Sequence, residues 1–172
     1  MNQATGQGTE ARSALAWLWL SAFIVVADQA TKWLIVSSFE LFERVQVLPV
    51  FGITRLHNPG AAFSFLASAG GWQRWFFIAV AFAVTALVVV WLKRMPRQGH
   101  HWLAASLALI VGGAVGNVID RVWHGYVVDF LSFHWNHWFF PAFNVADAAI
   151  TVGAVILLVE SLFDGRREKK II

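Results

Sequence analysis

Apolar residues fall into four long runs along this chain, separated by segments of mixed character. The runs cover approximately 14–36, 75–92, 102–119 and 142–163. Each approaches the ~20 residues that cross the hydrocarbon core of a bilayer as a helix. Lipid offers no partners to backbone N–H and C=O groups, so such runs must be helical. Between the first two runs, "RVQVLPVFGITRLH" alternates apolar and polar positions in places, with Pro49 and Gly52 dividing it. Its Val and Ile content predicts short strands, forming a small sheet over about 40–57 at the membrane surface. "HNPGAAFS" follows as a turn, punctuated by Pro59 and Gly60. The segment between the last two runs, "VWHGYVVDFLSFHWNHWFFPAF", is crowded with aromatics. Trp and Tyr concentrate where an apolar ring meets lipid and a polar tip meets water, so interfacial anchoring is expected there. The pattern predicts an all-α membrane protein: four transmembrane helices carrying a small β-sheet.

Composition agrees and removes the soluble classes. Hydrophobic residues make up 58% of the 172, and charged residues only 13%, against roughly 25% in soluble domains. The first run is expected to be retained rather than cleaved as a secretory signal. Only Arg12 precedes it, no clear small-residue cleavage site follows, and polar residues interrupt its second half. Cysteine is absent, which excludes disulfides, thiolate ligands and a cysteine nucleophile together. The placement of basic residues says more than the net charge of +3. Arg12, Lys93, Arg94, Arg97, Arg166, Arg167, Lys169 and Lys170 fall on one side of the four runs, and only Arg44, Arg55, Arg74 and Arg121 on the other. Basic loops stay cytoplasmic, so both termini are expected there, with 37–74 and 120–141 facing outward. The expected organisation is a disordered tail at 1–13, one membrane domain at 14–165 and a basic tail at 166–172. Topology accounts for "GRREKK", and no nucleic-acid partner is expected.

Polar residues inside the apolar runs carry the candidate chemistry. "GNVIDR" closes the third run and "FNVADA" opens the fourth, repeating one N-V-x-D spacing through Asn117 and Asp120, then Asn144 and Asp147. Asp120 falls at the outer end of its helix; Asp147 lies ~8 Å into the next, at ~1.5 Å per residue. Antiparallel packing brings the two to similar height. Gly112, Gly113 and Gly116 leave room for that approach. Two carboxylates sharing a site cannot both ionise easily, which yields a base and an acid around one water. Asn117 and Asn144 are placed to orient the carboxylates or a substrate backbone. The bland alternative pairs Asp120 with Arg121 or makes it a helix cap.

Other polar groups admit structural readings. Asp28 and Lys32, four apart in "DQATK", form a local ion pair, support the cavity or hold a polar part of a substrate; Lys32 also has the length to snorkel. Asp129 reads as an anchor for the outer loop. His134 and His137, with His57 and His124, are conceivable zinc ligands, but the H-E-x-x-H arrangement is missing. Without G-x-S-x-G, Ser64 has little claim as a nucleophile. His100 and His101 belong to the cytoplasmic loop, and Glu160 to the cytoplasmic interface. A proton- or ion-coupled carrier using Asp28, Asp120 and Asp147 is a rival reading, as is a purely structural subunit. Four spans without an evident repeat suit a carrier poorly.

Four ordered blocks resemble the lipoprotein signal peptidase (bacterial signal peptidase II) family: "DQATK" at 28–32, "HNPGAAFS" at 57–64, "GGAVGNVIDR" at 112–121 with "GYVVDF" at 125–130, and "FNVADA" at 143–148. The likeness covers nearly all the chain after the polar tail. It implies an aspartic protease of the bacterial inner membrane, with Asp120 and Asp147 expected as the catalytic dyad. It also implies that Asp28, Lys32, Asn58, Gly60, Asn117, Arg121, Asp129, Asn144 and Ala146 line or support the site. The implied substrates are diacylglyceryl-modified prolipoproteins, cut on the N-terminal side of the lipidated cysteine. Globomycin is the implied inhibitor, and no metal or organic cofactor is implied. The outer sheet is expected to be cradle-like, the active site to lie near the periplasmic side among membrane lipids, and the chain to be a monomer.

Overall fold

The computed structural model describes residues 13–60, 70–96 and 99–168. Most of the expected polar tail, residues 61–64 of the turn segment with Ser64, and the end of the basic tail at 169–172 lie outside them.

Four helices dominate: α1 (Leu18–Ser38), entered through a 3-10 turn at Ala14–Trp17, α2 (Trp72–Arg94), α3 (His101–Trp123) and α4 (Val145–Glu168). All four are long and apolar enough to cross a membrane, so this is a multi-pass membrane protein. Helix α3 runs four residues beyond its expected end at 119, which puts Asp120 inside its last full turn. Helix α4 starts at Val145, three residues later than expected. Phe143 explains the delay, because its N–H and C=O both bond to Leu131 of the sheet and hold the chain extended. Helix α4 also continues through Glu168, so the first part of the basic tail is helical.

Helix α3 is the most buried of the four and packs against the other three. Small residues permit this. A Cβ at Gly153 of α4 would stand 2.7 Å from the Ser106 carbonyl oxygen of α3, and one at Gly112 would stand 2.8 Å from Ile24 Cβ of α1. Without a hydrophobic drive between helices in lipid, such close backbone contact is what dispersion needs. The remaining faces carry large apolar side chains such as Trp33 and Phe82 outward, as a lipid solvent requires.

A four-stranded antiparallel sheet sits at one end of the bundle. Its strands are β1 (Arg44–Leu48), β2 (Phe51–Asn58), β3 (Val127–Trp135) and β4 (Trp138–Phe139), in the spatial order β1-β2-β3-β4. The 40–57 segment therefore supplies half the sheet, and the aromatic segment expected only to anchor supplies the rest. Register places Leu56 opposite Asp129 and Asn58 opposite Val127. Val128 and Phe130 of β3 pack with Ile35 of α1, fastening sheet to bundle. At the far end, Ser13 bridges to Pro96 and Ala14 N–H donates to Met95 C=O at 3.0 Å. The start of the first span thus lies beside the α2–α3 connection, away from the sheet.

Candidate active site

Helix α1 brings Asp28 and Lys32 into the bundle, one turn apart and both buried. Asp28 Oδ1 accepts the Ala146 N–H at 2.9 Å. That N–H belongs to the first turn of α4, where backbone donors have no partner in their own helix. Asp28 Oδ2 lies 2.8 Å from Lys32 Nζ. Lys32 Nζ also reaches Asp120 Oδ2 at 3.0 Å and Asn117 Oδ1 at 3.1 Å, matching three donors to three acceptors. The local Asp28–Lys32 pair is therefore present, as one edge of a larger network. Gly116 makes room for it, since a Cβ there would stand 2.7 Å from Asp28 Oδ2.

Asp120 belongs to this network. Besides Lys32, its Oδ2 accepts the Val128 N–H at 3.0 Å, and its Oδ1 accepts Gln29 Nε2 at 2.9 Å. Its ion-pair partner is Lys32, not Arg121. Gln29 was not singled out in the sequence. Its Nε2 also approaches Asp28 Oδ2 and the Gly116 carbonyl, each at 3.2 Å; the available signal was an amide beside an acid within an apolar run.

A cleft of about 870 Å³ opens between α2 and α4, bordered also by α3. Phe77, Val84, Ile110, Ala114 and Val152 give it apolar walls, and Asn58, Asn117, Arg121, Asp129 and Asp147 gather at one end. Asp120 does not border it. Asp147 is the third residue of α4, and Asn144 precedes the helix as its cap. Asn144 Oδ1 accepts the Asp147 N–H at 2.9 Å, while Asp147 Oδ2 accepts the Asn144 N–H at 3.3 Å, a reciprocal capping pair. Asp147 Oδ1 accepts Asn117 Nδ2 at 2.7 Å. The two N-V-x-D motifs thus share a spacing and differ in physics: one caps a helix start, the other lies within a final turn.

Strand β3 delivers Asp129 to the same end of the cleft. Its Oδ1 accepts Asn144 Nδ2 at 2.7 Å and its Oδ2 accepts Asn58 Nδ2 at 2.9 Å. Asn144 therefore bonds directly to both acids. Burial, reinforced by the negative charge of Asp147, pushes the Asp129 carboxyl up to about 7 despite those amide donors. Asp129 is thus a strand residue of the cleft rather than a loop anchor. Arg121 donates to the Gly60 carbonyl at 2.7 Å and to the Asn117 carbonyl at 3.2 Å, with its guanidinium over the Phe77 ring. Of the expected site residues, Asn58, Asn117, Arg121, Asp129 and Asp147 meet at the cleft; Asp28, Lys32, Asp120, Asn144 and Ala146 stand behind it, and Gly60 anchors Arg121. Three of the four outer histidines stack on aromatic rings: His57 and His124 on Tyr126, His134 on Phe139.

Residues 20–163 match the family model described as Signal peptidase (SPase) II. The chain belongs to the signal peptidase II family. Among curated relatives, the lipoprotein signal peptidase of Shewanella halifaxensis is 49% identical over 158 residues, 92% of each chain. That of Pseudomonas fluorescens strain Pf0-1 is 53% identical over 148 residues, 85% of this chain and 86% of its own. A bacterial membrane enzyme solved by the in meso method superposes with a TM-score of 0.76 at 28% identity, covering 87% of this chain and 89% of that one. This signal peptidase II is accordingly a membrane-embedded protease, and its four-helix-plus-sheet fold is one already seen in a membrane enzyme.

Proposed function

We propose that this signal peptidase II is an aspartic endopeptidase in which Asp129 and Asp147 share one proton around a hydrolytic water. The observation that carries the reading is their joint position at the polar end of the cleft, linked by Asn144, with the Asp129 carboxyl raised to about 7. Such an acid still holds its proton near neutrality, as a general acid must. The spacing of the N-V-x-D motifs favoured Asp120 as the partner of Asp147. Asp129 is the better candidate, because it borders the cleft beside Asp147, whereas Asp120 lies behind the cleft in an ion pair with Lys32.

In the proposed reaction, the Asp147 carboxylate takes a proton from water as the oxygen adds to the scissile carbonyl carbon. Asp129 O–H delivers its proton to the carbonyl oxygen. On collapse the C–N bond breaks, and the amine leaves with the proton held by Asp147. One hydroxyl of the intermediate returns its proton to Asp129, restoring both groups. Asn117 and Asn144 hold the carboxylates in register throughout.

The proposed substrate is a diacylglyceryl-modified prolipoprotein, cut on the N-terminal side of the lipidated cysteine. Relatives named lipoprotein signal peptidase support it, as do apolar cleft walls able to take a signal helix while the acyl chains stay in lipid. Basic residues such as Lys93 and Arg94, at the end of α2, favour both termini in the cytoplasm. The sheet and the head of the cleft then face the periplasm from the inner membrane. Globomycin is expected to inhibit by filling the cleft, and the monomer holds every residue the reaction needs.

The test uses the purified chain in detergent with a diacylglyceryl-modified prolipoprotein. Asp129→Asn and Asp147→Asn should each lower turnover by about 10²- to 10⁴-fold while the protein stays folded. Near-normal cleavage by either variant would refute the dyad. Proton flux in liposomes that depends on the same two residues would favour the carrier.

A further inference from the structure

Aromatic rings form an unbroken track from the cleft across the sheet. Phe140 and Phe143 border the cleft and meet edge to face at 6.1 Å. Phe143 stacks on Phe133 at 6.1 Å, Phe133 meets Phe51 at 5.0 Å, and Trp138 meets Phe140 at 6.0 Å. Although each packs on neighbouring rings, Phe133 and Trp138 remain 43% and 63% exposed. Interfacial anchoring explains single exposed aromatics. It does not require rings in mutual contact that begin on the wall of a reaction cleft.

We infer that this aromatic face of β3, β4 and the 140–143 segment carries the extended stretch of substrate that follows the cleaved bond. The inference rests on the proposed function. The apolar length of the cleft lies between membrane spans and suits an apolar helix; the carboxylates stand at its head. A chain cut there continues past Phe143 and Phe140 onto the sheet. From Asp129 to Trp135, β3 advances six residues, or ~20 Å at ~3.3 Å each, room for about six extended substrate residues. Arg44 and Arg55 are the only other charged residues in the four strands besides Asp129. Arg44 lies on the opposite face of the sheet from Phe133, its guanidinium 4.5 Å from the Phe139 ring centre and bonded to Ser132 Oγ at 3.2 Å. An uncharged, extended peptide is therefore the matching occupant, held by ring contacts.

The experiment compares two lipidated substrates with the same signal sequence, one ending two residues after the cysteine and one continuing for eight. Wild type should cleave the longer with the lower KM. Phe133→Ala and Trp138→Ala should each raise KM for the longer substrate by about three- to tenfold, leave its kcat within twofold, and change the shorter by less than twofold. Trp138 opens a two-residue strand at the sheet edge, so its variant stays informative if Phe133→Ala misfolds. Equal effects on both substrates would assign the track to lipid anchoring or folding and overturn the inference, as would a wild type indifferent to length. Failure of wild type to cleave either substrate would instead sink the proposed function.

Discussion

Replacing Asp129 with Asn should abolish cleavage and yet make the protein more stable in alkaline buffer. The carboxyl is raised from 3.8 to about 7, chiefly by burial. The folded chain therefore binds more protons than the unfolded one between those values. Wild-type stability falls as pH rises through that window and levels off above it. A shift of ~3 units corresponds to ~4 kcal/mol at ~1.4 kcal/mol per unit. Asparagine carries no charge and escapes this penalty. It also turns one acceptor into a donor facing Asn58 or Asn144, both of which donate to Asp129, a mismatch costing about 1–2 kcal/mol. The balance is a variant about 1–2 kcal/mol less stable at pH 4 and about 2–3 kcal/mol more stable at pH 8.5. Thermal unfolding in detergent across that range, wild type beside variant, measures it. A stability difference of constant sign and size from pH 4 to 8.5 would refute the claim that Asp129 is a buried acid held near neutrality.

Two further outcomes follow from the buried network and one from helix packing. Lys32→Met removes the ammonium shared by Asp28, Asp120 and Asn117 and should cost about 3–5 kcal/mol; denaturant unfolding showing less than ~1 kcal/mol would mean water reaches those carboxylates. Asp120→Asn should lower stability while the folded fraction retains readily measured cleavage, unlike Asp147→Asn; a fully folded, fully inactive Asp120→Asn would restore Asp120 to the reaction. Gly153→Leu drives a side chain into the Ser106 carbonyl and should destabilise by about 1–3 kcal/mol, with unchanged melting as the contrary result.

The spans were legible because lipid imposes one rule on every residue of a run, and the glycines of α3 were legible because close helix packing in lipid requires them. Strand β3 was not. Its first four residues, Val127 to Phe130, are all buried, so the alternation that marks a half-exposed strand is missing, and only pairing with β2 reveals it. That same blindness hid the position of Asp129 at the cleft. An acid inside "VVDF" reads as a loop anchor until the strand turns it into the cleft. The matched N-V-x-D motifs are silent on their surroundings in a related way. Spacing along a helix reports which residues share a face; it does not report that Lys32, from another helix, already occupies Asp120. Asp147 and Asn117 were legible because their own helices present them to the cleft, and Asn144 because an Asn just ahead of an apolar helix reads as its cap.

The bond from the Asp28 carboxylate to the Ala146 amide has a consequence for biogenesis. It joins α1 to α4, which leaves the ribosome three helices later, and the turn it fastens carries Asp147. Until α4 has entered the bilayer and found α1, one half of the proposed dyad has no fixed address. On that proposal a copy lacking α4 is harmless to the nascent chains around it, and competence to cleave arrives only when the bundle closes.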